Sequence, residues 1–208
     1  MLPAPPVLLI TDRSQAKSDL PDVVAAACAG GCRWLSLREK DLAAAAQIAL
    51  FARMAAIARP CGARVTLHGA AQLARAAGAD GVHLPGGSDP AEARALLGPH
   101  ALVGLSLHTL EEAARADPAA LDYVTASPVF LTASKPGHGP ALGLDGLAAF
   151  ARACRVPVIA LGGVDAANAG ACRAAGAAGL AIMGGVMRAH DPAAAFRAAA
   201  AAFGAAIS

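Results

Sequence analysis

Two glycine doublets carry the clearest chemical signal in this chain: VIALGGV, from Val158 to Val164, and GLAIMGGV, from Gly179 to Val186. In each, a short apolar run ends in paired glycines just where a helix should begin. Gly162, Gly163, Gly184 and Gly185 bring no side chains, so bare backbone N–H groups near a helix N-terminus can cradle a phosphate. Spaced one βα unit apart, the doublets have the arrangement of a phosphate cup on the last two strands of a (β/α)8 barrel. A small phosphate ester is the expected ligand.

Other chemistry sits at further predicted strand ends. The second strand runs into SLREK. If it stays extended, Ser36, Arg38 and Lys40 share one direction and Glu39 takes the other. Arg38 and Lys40 would then form an anion clamp, the first by its planar fork and the second as a point charge. The competing reading is a solvated charge cluster balanced by Glu39 and Asp41. After the sixth strand comes SPVFLTASKPGHG, from Ser127 to Gly139, with Thr132, Ser134 and Lys135 as hydroxyl and cation donors. About 18 residues precede Asp145, more than a usual βα connection, which favours a ligand-covering lid over an ordinary surface loop. His138 on this segment reads as a general acid or base, or as an exposed histidine.

Ser106 marks the end of the fifth strand, with His108 just beyond it; His68 ends the third strand and His83 lies in the fourth. A lone histidine is more often a hydrogen-bonded structural group, but three at neighbouring strand ends are candidates for proton transfer. They do not have the ligand spacing of a zinc site. Asp89, in GGSDP, either caps the helix that begins at Pro90 or is available to a metal.

The elements that must position these residues alternate regularly. Strand-like runs occupy 7–11, 33–38, 64–67, 81–84, 102–106, 121–126, 157–161 and 179–183. Helical stretches lie near 22–29, 42–58, 70–77, 90–97, 110–116, 145–153, 166–175 and 191–203. Eight βα units imply a parallel sheet with right-handed crossovers and close into an α/β fold, a single (β/α)8 TIM barrel spanning 1–208. Phrases such as AGADG and AAGAAG end helices in glycine, and Asp-Pro at 89–90, 117–118 and 191–192 marks helix starts or turns. A doubly wound open sheet is the alternative; it needs a reversal of strand order that a sequence does not show.

Composition narrows the partners. The 208 residues are 56% hydrophobic and only 3% aromatic, with a formal net charge of +2. The basic residues are scattered, so nucleic acid is not expected. No uncharged apolar run approaches ~18 residues, so no membrane span is expected, and the opening MLPAPPVLLITD reads as a first strand, not a signal peptide. Five cysteines without paired CxxC spacing argue against disulfides and structural zinc, and are read as buried thiols of a cytoplasmic protein. A homo-oligomer is compatible with this reading.

LITDR, GCRWLSLREK, GADGVHLP, VGLSLHTLEEA, DYVTASPVFLTASK, VPVIALGGV and AAGLAIMGGV occur in this order. By these motifs nearly the whole chain resembles the thiamine phosphate synthase family, which includes the TenI-type thiazole tautomerases. The resemblance implies a barrel that binds a thiazole ethyl phosphate. In the synthases, an aminopyrimidine methyl pyrophosphate also binds with Mg2+, pyrophosphate leaves, and the thiazole nitrogen captures the pyrimidine methyl cation. Carried onto this chain, Arg38, Lys40, Ser106 and Lys135 line the pyrophosphate. Thr132 and Ser134 lie near the thiazole phosphate, which Gly162, Gly163, Gly184 and Gly185 hold through their backbone.

The chain departs from that pattern. Where a synthase typically carries Asn-Asp after the third strand, this chain has His68 and Gly69, and the second metal aspartate falls at Ser88, one residue before Asp89. Ser36 replaces the usual glutamine. Without Mg2+, pyrophosphate departure loses a strong source of charge stabilisation. The expectation is therefore a TenI-like tautomerase that needs no cofactor and aromatises a thiazole phosphate by proton transfer. The catalytic histidine of that branch falls at Ser127, leaving His68, His108 or His138 as proton carriers. The alternatives are a Mg2+-dependent synthase in which Asp89 holds the metal, and a non-catalytic protein that binds the phosphate ligand.

Overall fold

The computed structural model describes residues 1–131 and 141–205. Eight strands alternate with helices along the chain: β1 (Val7–Ile10), α1 (Leu20–Ala29), β2 (Trp34–Leu37), α2 (Ala44–Ala58), β3 (Arg64–His68), α3 (Ala71–Ala76), β4 (Gly81–Leu84), α4 (Pro90–Leu97), β5 (Leu102–Leu107) and α5 (Leu110–Arg115). There follow β6 (Tyr123–Ala126), α6 (Gly143–Ala153), β7 (Val158–Leu161), α7 (Ala169–Ala174), β8 (Gly179–Ile182), α8 (Gly184–Met187) and α9 (Pro192–Ala202). The strands pair in chain order, all parallel, and β8 returns to β1 through Val7↔Leu180 and Leu9↔Ile182. The ring is closed, which settles the barrel against the open sheet.

Both faces of each strand are covered, as continuous apolar runs such as VLLI and GLAI require of a parallel sheet. Inside the ring, Leu8, Ile10, Trp34, Leu102, Tyr123, Ile159 and Ala181 pack against one another. Outside it, alternate strand residues such as Leu9, Leu35, Val65 and Val82 meet helix residues including Val24, Phe51 and Met54. The many alanines allow the helices to lie close against the sheet.

Helix ends follow their local chemistry. Asp89 Oδ1 accepts from Ala91 N at 2.8 Å and Asp191 Oδ1 from Ala194 N at 2.9 Å, each just before a proline in the first turn. Thr109 and Glu112 form a reciprocal capping box at α5. At 117–118 the Asp-Pro pair makes a turn. Gly78 and Gly176, after α3 and α7, take φ of 63° and 95°, the left-handed region that stops a helix.

Two elements differ from the sequence expectation. Residues 165–168 form a turn held by Asn168 Oδ1 accepting from Asp165 N at 3.0 Å, so α7 starts three residues later than the stretch beginning at 166. The last connection holds a short extra helix, α8, directly on the second glycine doublet. The thiols also differ: Cys28, Cys32 and Cys172 are buried, Cys154 is half-buried, and Cys61 is exposed. Burial pushes Cys28 up to about 11 and Cys32 up to about 12, which leaves them inert. No helix among the described residues is long and apolar enough to cross a membrane.

Gly104 controls the barrel interior. It pairs with His83 on β4 and with Tyr123 on β6, and a methyl group on it would overlap the fully buried Tyr123 ring. The ring lies across this glycine and has no room to withdraw. Gly104→Ala is expected to cost about 3 kcal/mol, at the upper end of overpacking effects. Urea unfolding of the variant measures it, and wild-type stability would contradict the expectation.

Candidate active site

A cavity of about 220 Å³ opens at the C-terminal ends of the strands, where barrel chemistry gathers. Both glycine doublets line one side of it. Gly162 and Gly163 adopt φ of 96° and 63°. A Cβ on Gly162 would lie 2.8 Å from Pro128 Cα, and one on Gly163 2.7 Å from Phe130 Cβ. The segment after β6 presses on this doublet, with Val129 N donating to Leu161 O and Phe130 N to Gly162 O, both at 2.9 Å. These two glycines are therefore required by the fold as well as open to a ligand. At the second doublet, a methyl on Gly184 would collide with the Arg188 guanidinium, whereas one on Gly185 meets nothing within 4 Å.

Arg38 lines the same cavity. Its backbone N–H donates to Thr11 Oγ1 at 2.9 Å, tying the end of β2 to the end of β1. Lys40 is exposed and outside the lining. The alternation expected through Lys40 fails because β2 ends at Leu37. Desolvation, with the Arg38 charge second, lowers the Lys40 ammonium from its ordinary value, so the two cations remain close enough to repel.

Glu39 and Asp41 do not balance Arg38 and Lys40; they hold Arg13. Glu39, only 3% exposed, accepts from Thr11 Oγ1 at 2.8 Å and from Arg13 N and Nη1, both at 3.1 Å. Arg13 Nη1 and Nη2 also reach Asp41 at 2.6 and 2.5 Å. Asp41, then Glu39, raise the Arg13 guanidinium above its already high ordinary value.

Three charged residues that line the cavity escaped the sequence reading: Asp12, Asp165 and Arg188. Asp12 continues the inward alternation of Leu8 and Ile10 past the end of β1, a signal present in the sequence. Burial alone would raise its carboxyl; bonds from Ser14 and Gln15, with the Arg38 charge, outweigh that and hold it below its ordinary value. Arg188 lies one helical turn after Gly184 and bonds Gln15 Oε1, while Gln15 Nε2 donates to Asp12 at 2.5 Å. Its position depends on α8, which the sequence reading did not contain.

The histidines separate. His68 and His83 both line the cavity and stack on each other, with centroids 5.2 Å apart. His83 is buried, with Nδ1 3.0 Å from Tyr123 Oη and Nε2 2.9 Å from Ser106 Oγ. Ser106 and Ser127 also line the cavity. His108 does not: its Nδ1 is engaged with Ser127 O at 2.8 Å, and the side chain is exposed outside the lining. Thr132, Ser134, Lys135 and His138 lie outside the described residues.

The residues present do not fit the Mg2+ site that the resemblance implies. Asp89 does not line the cavity and spends Oδ1 on the first N–H groups of α4. Gly69 has no side chain where the resemblance places a metal aspartate, and its neighbour His68 offers nitrogen where a hard cation prefers oxygen. The two cavity carboxylates already accept hydrogen bonds, Asp12 from Ser14 and Gln15 and Asp165 from Ala167 N at 2.9 Å. Among the described residues no group of three His, Cys, Asp or Glu side chains is placed to hold a metal ion.

Fold and site together define a (β/α)8 barrel whose strand-end cavity is lined by two glycine doublets, Arg38 and Arg188. The family model described as thiamine monophosphate synthase matches residues 7–186, and the chain belongs to that family. It is 40% identical to the thiamine-phosphate synthase of Roseiflexus sp. (strain RS-1), over 92% of this chain and 82% of that protein. It is also 40% identical to the thiamine-phosphate synthase of Roseiflexus castenholzii, over 92% and 85%. The thiamine phosphate pyrophosphorylase structure from Pyrococcus furiosus superposes with a TM-score of 0.83 at 27% identity, covering 95% of each chain.

These relatives correct the tautomerase expectation. That expectation rested on two absent carboxylates, Gly69 and Ser88 standing in their places. The similarity to proteins named synthase extends over nine-tenths of the chain and outweighs two positions. The chain is an enzyme of thiamine biosynthesis.

The glycines can be tested separately. Gly163→Ala must strain both backbone and the segment after β6, and is expected to lower stability by about 2 kcal/mol. Gly185→Ala has open space and a helical backbone, so stability should hold or rise while affinity for a phosphate ester drops about tenfold. Thermal melts and calorimetric titration of both variants read these outcomes; unchanged ester affinity in Gly185→Ala would remove that glycine from the cup.

Proposed function

We propose that this protein is a thiamine-phosphate synthase, joining an aminopyrimidine methyl pyrophosphate to a thiazole ethyl phosphate with release of pyrophosphate. The observation that carries this reading is 40% identity, over 92% of the chain, to a protein of that name. The cavity supports it with two anion-binding regions, one per phosphorylated substrate.

In this mechanism the backbone amides of Gly162, Gly163, Gly184 and Gly185 receive the thiazole phosphate, which orients the ring nitrogen toward the reacting carbon. Arg38 takes the pyrophosphate with its planar fork, and the Ser106 hydroxyl adds a neutral contact. The bond between the pyrimidine methylene carbon and the pyrophosphate oxygen breaks, and its electron pair leaves with pyrophosphate. The thiazole nitrogen lone pair then forms the new C–N bond, and the positive charge passes to the thiazolium ring. Arg38 works by matching charge that develops on the leaving oxygen, an interaction stronger in the transition state than before it.

Coupling of the two substrates, assayed with and without Mg2+, tests the proposal directly. Wild-type protein should form thiamine phosphate and pyrophosphate in equal amounts. Arg38→Ala should lower kcat/KM for the pyrophosphate substrate about a hundredfold, the scale of losing one charge-stabilising donor. Absence of coupling with or without Mg2+ would reject the synthase reading.

A further inference from the structure

Behind Ser106 the barrel holds a line of polar side chains that the mechanism above does not use. Tyr123 on β6 reaches across Gly104 on β5 and sets its hydroxyl 3.0 Å from His83 Nδ1 on β4. His83 Nε2 lies 2.9 Å from Ser106 Oγ, at the cavity wall. Tyr123 is completely buried and His83 is 1% exposed. Burial, with the Asp122 charge second, pushes the phenol above its ordinary value, so it keeps its hydrogen.

That hydrogen needs an acceptor. Among the described residues the only hydrogen-bond partner of Tyr123 Oη is His83 Nδ1. With a hydrogen on Nδ1 as well, two donors would meet and the phenol hydrogen would be buried unsatisfied, a costly arrangement. Nδ1 must accept, which leaves the ring hydrogen of the neutral imidazole on Nε2. Nε2–H then donates to Ser106 Oγ. The serine hydrogen cannot point back at a donor and turns to the cavity.

We propose that Tyr123 and His83 are positioning residues that fix the Ser106 hydroxyl as a hydrogen-bond donor aimed at an acceptor-only ligand group, the oxygen of a phosphate or pyrophosphate. The Trp34 ring meets Tyr123 edge-on at 4.7 Å and His68 stacks on His83, so both rings of the relay are held from the side. Without the relay the serine presents a lone pair or a hydrogen with equal ease, and a lone pair repels an anion. The assignment of the anion to pyrophosphate rests on the synthase reading; the direction of the three hydrogen bonds does not.

The direction is read first, in the full-length protein labelled with 15N-histidine. Long-range 1H–15N correlation at neutral pH, with His83→Gln to assign the signals, should show His83 as the Nε2–H tautomer. Tyr123→Phe should shift its Nδ1 signal as the donated hydrogen is lost. An Nδ1–H ring in the wild type would overturn the proposal. Affinity for inorganic pyrophosphate, measured by calorimetry, is the second readout. Ser106→Ala and Tyr123→Phe should each weaken it about tenfold, and the double variant no more than Ser106→Ala alone. Additive losses, or pyrophosphate affinity untouched by Tyr123→Phe in a folded protein, would also overturn it. Neither readout needs turnover, so failure of the coupling assay falls on the synthase reading alone.

Discussion

Closure of eight parallel strands into one ring is the constraint on which the rest of this structure depends. A parallel strand has donors and acceptors on both edges, and pairing β8 with β1 leaves no edge unsatisfied. Because every strand runs the same way, all the strand ends that carry polar residues arrive at one rim. Arg38 and the Gly184–Gly185 doublet are remote in sequence and line one cavity for this reason alone. The same closure limits the interior. Its layers must be filled by the side chains that point inward, and Tyr123 fits only because Gly104 has none.

Around the rim, charged residues divide between those that hold the scaffold and those that face the cavity. Glu39 and Asp41 are committed to Arg13 and fix the segment that follows β1. Asp12, Gln15 and Arg188 form a second chain of bonds that links this segment to α8 across the β1–β8 seam. Arg38 is left facing the cavity, with Asp12 near enough to be influenced by its charge. A buried carboxylate that accepts several hydrogen bonds is a rigid anchor, and removing its partners would leave a charge stranded. These bonds therefore help to fix the shape of the cavity wall.

The two metal-site departures acquire a different meaning beside the family relationship. Position by position they read as loss of a synthase feature, and that led to the tautomerase expectation which the synthase relatives overturn. In the folded protein, Asp89 is a helix cap and His68 is one member of a stack of rings with His83 and Tyr123. The metal aspartate's place after β3 is Gly69, which has no side chain, and the neighbouring His68 ring is committed to packing in that stack. The cavity is lined instead by the two glycine doublets, Arg38, Arg188 and the hydroxyls of Ser106 and Ser127.

The fold was legible because its signals are local and repeated: apolar runs of strand length, glycines that stop helices, and aspartates that cap them before proline. The glycine doublets were legible as well, since their spacing by one βα unit has meaning only in a barrel. Local pattern misjudged Lys40, because extrapolating strand alternation past Leu37 assumes a strand that has already ended. It offered His108 as a proton carrier, while packing turned that ring onto Ser127 O and away from the cavity. Arg188 was hidden until α8 existed to bring it over Gly184. The chain's own order of residues determined that there would be a barrel and which strand tips would carry the glycine doublets and Arg38. Tertiary structure alone decided which polar side chains hold the scaffold and which face the cavity, since each hydrogen bond depends on neighbours contributed by other strands.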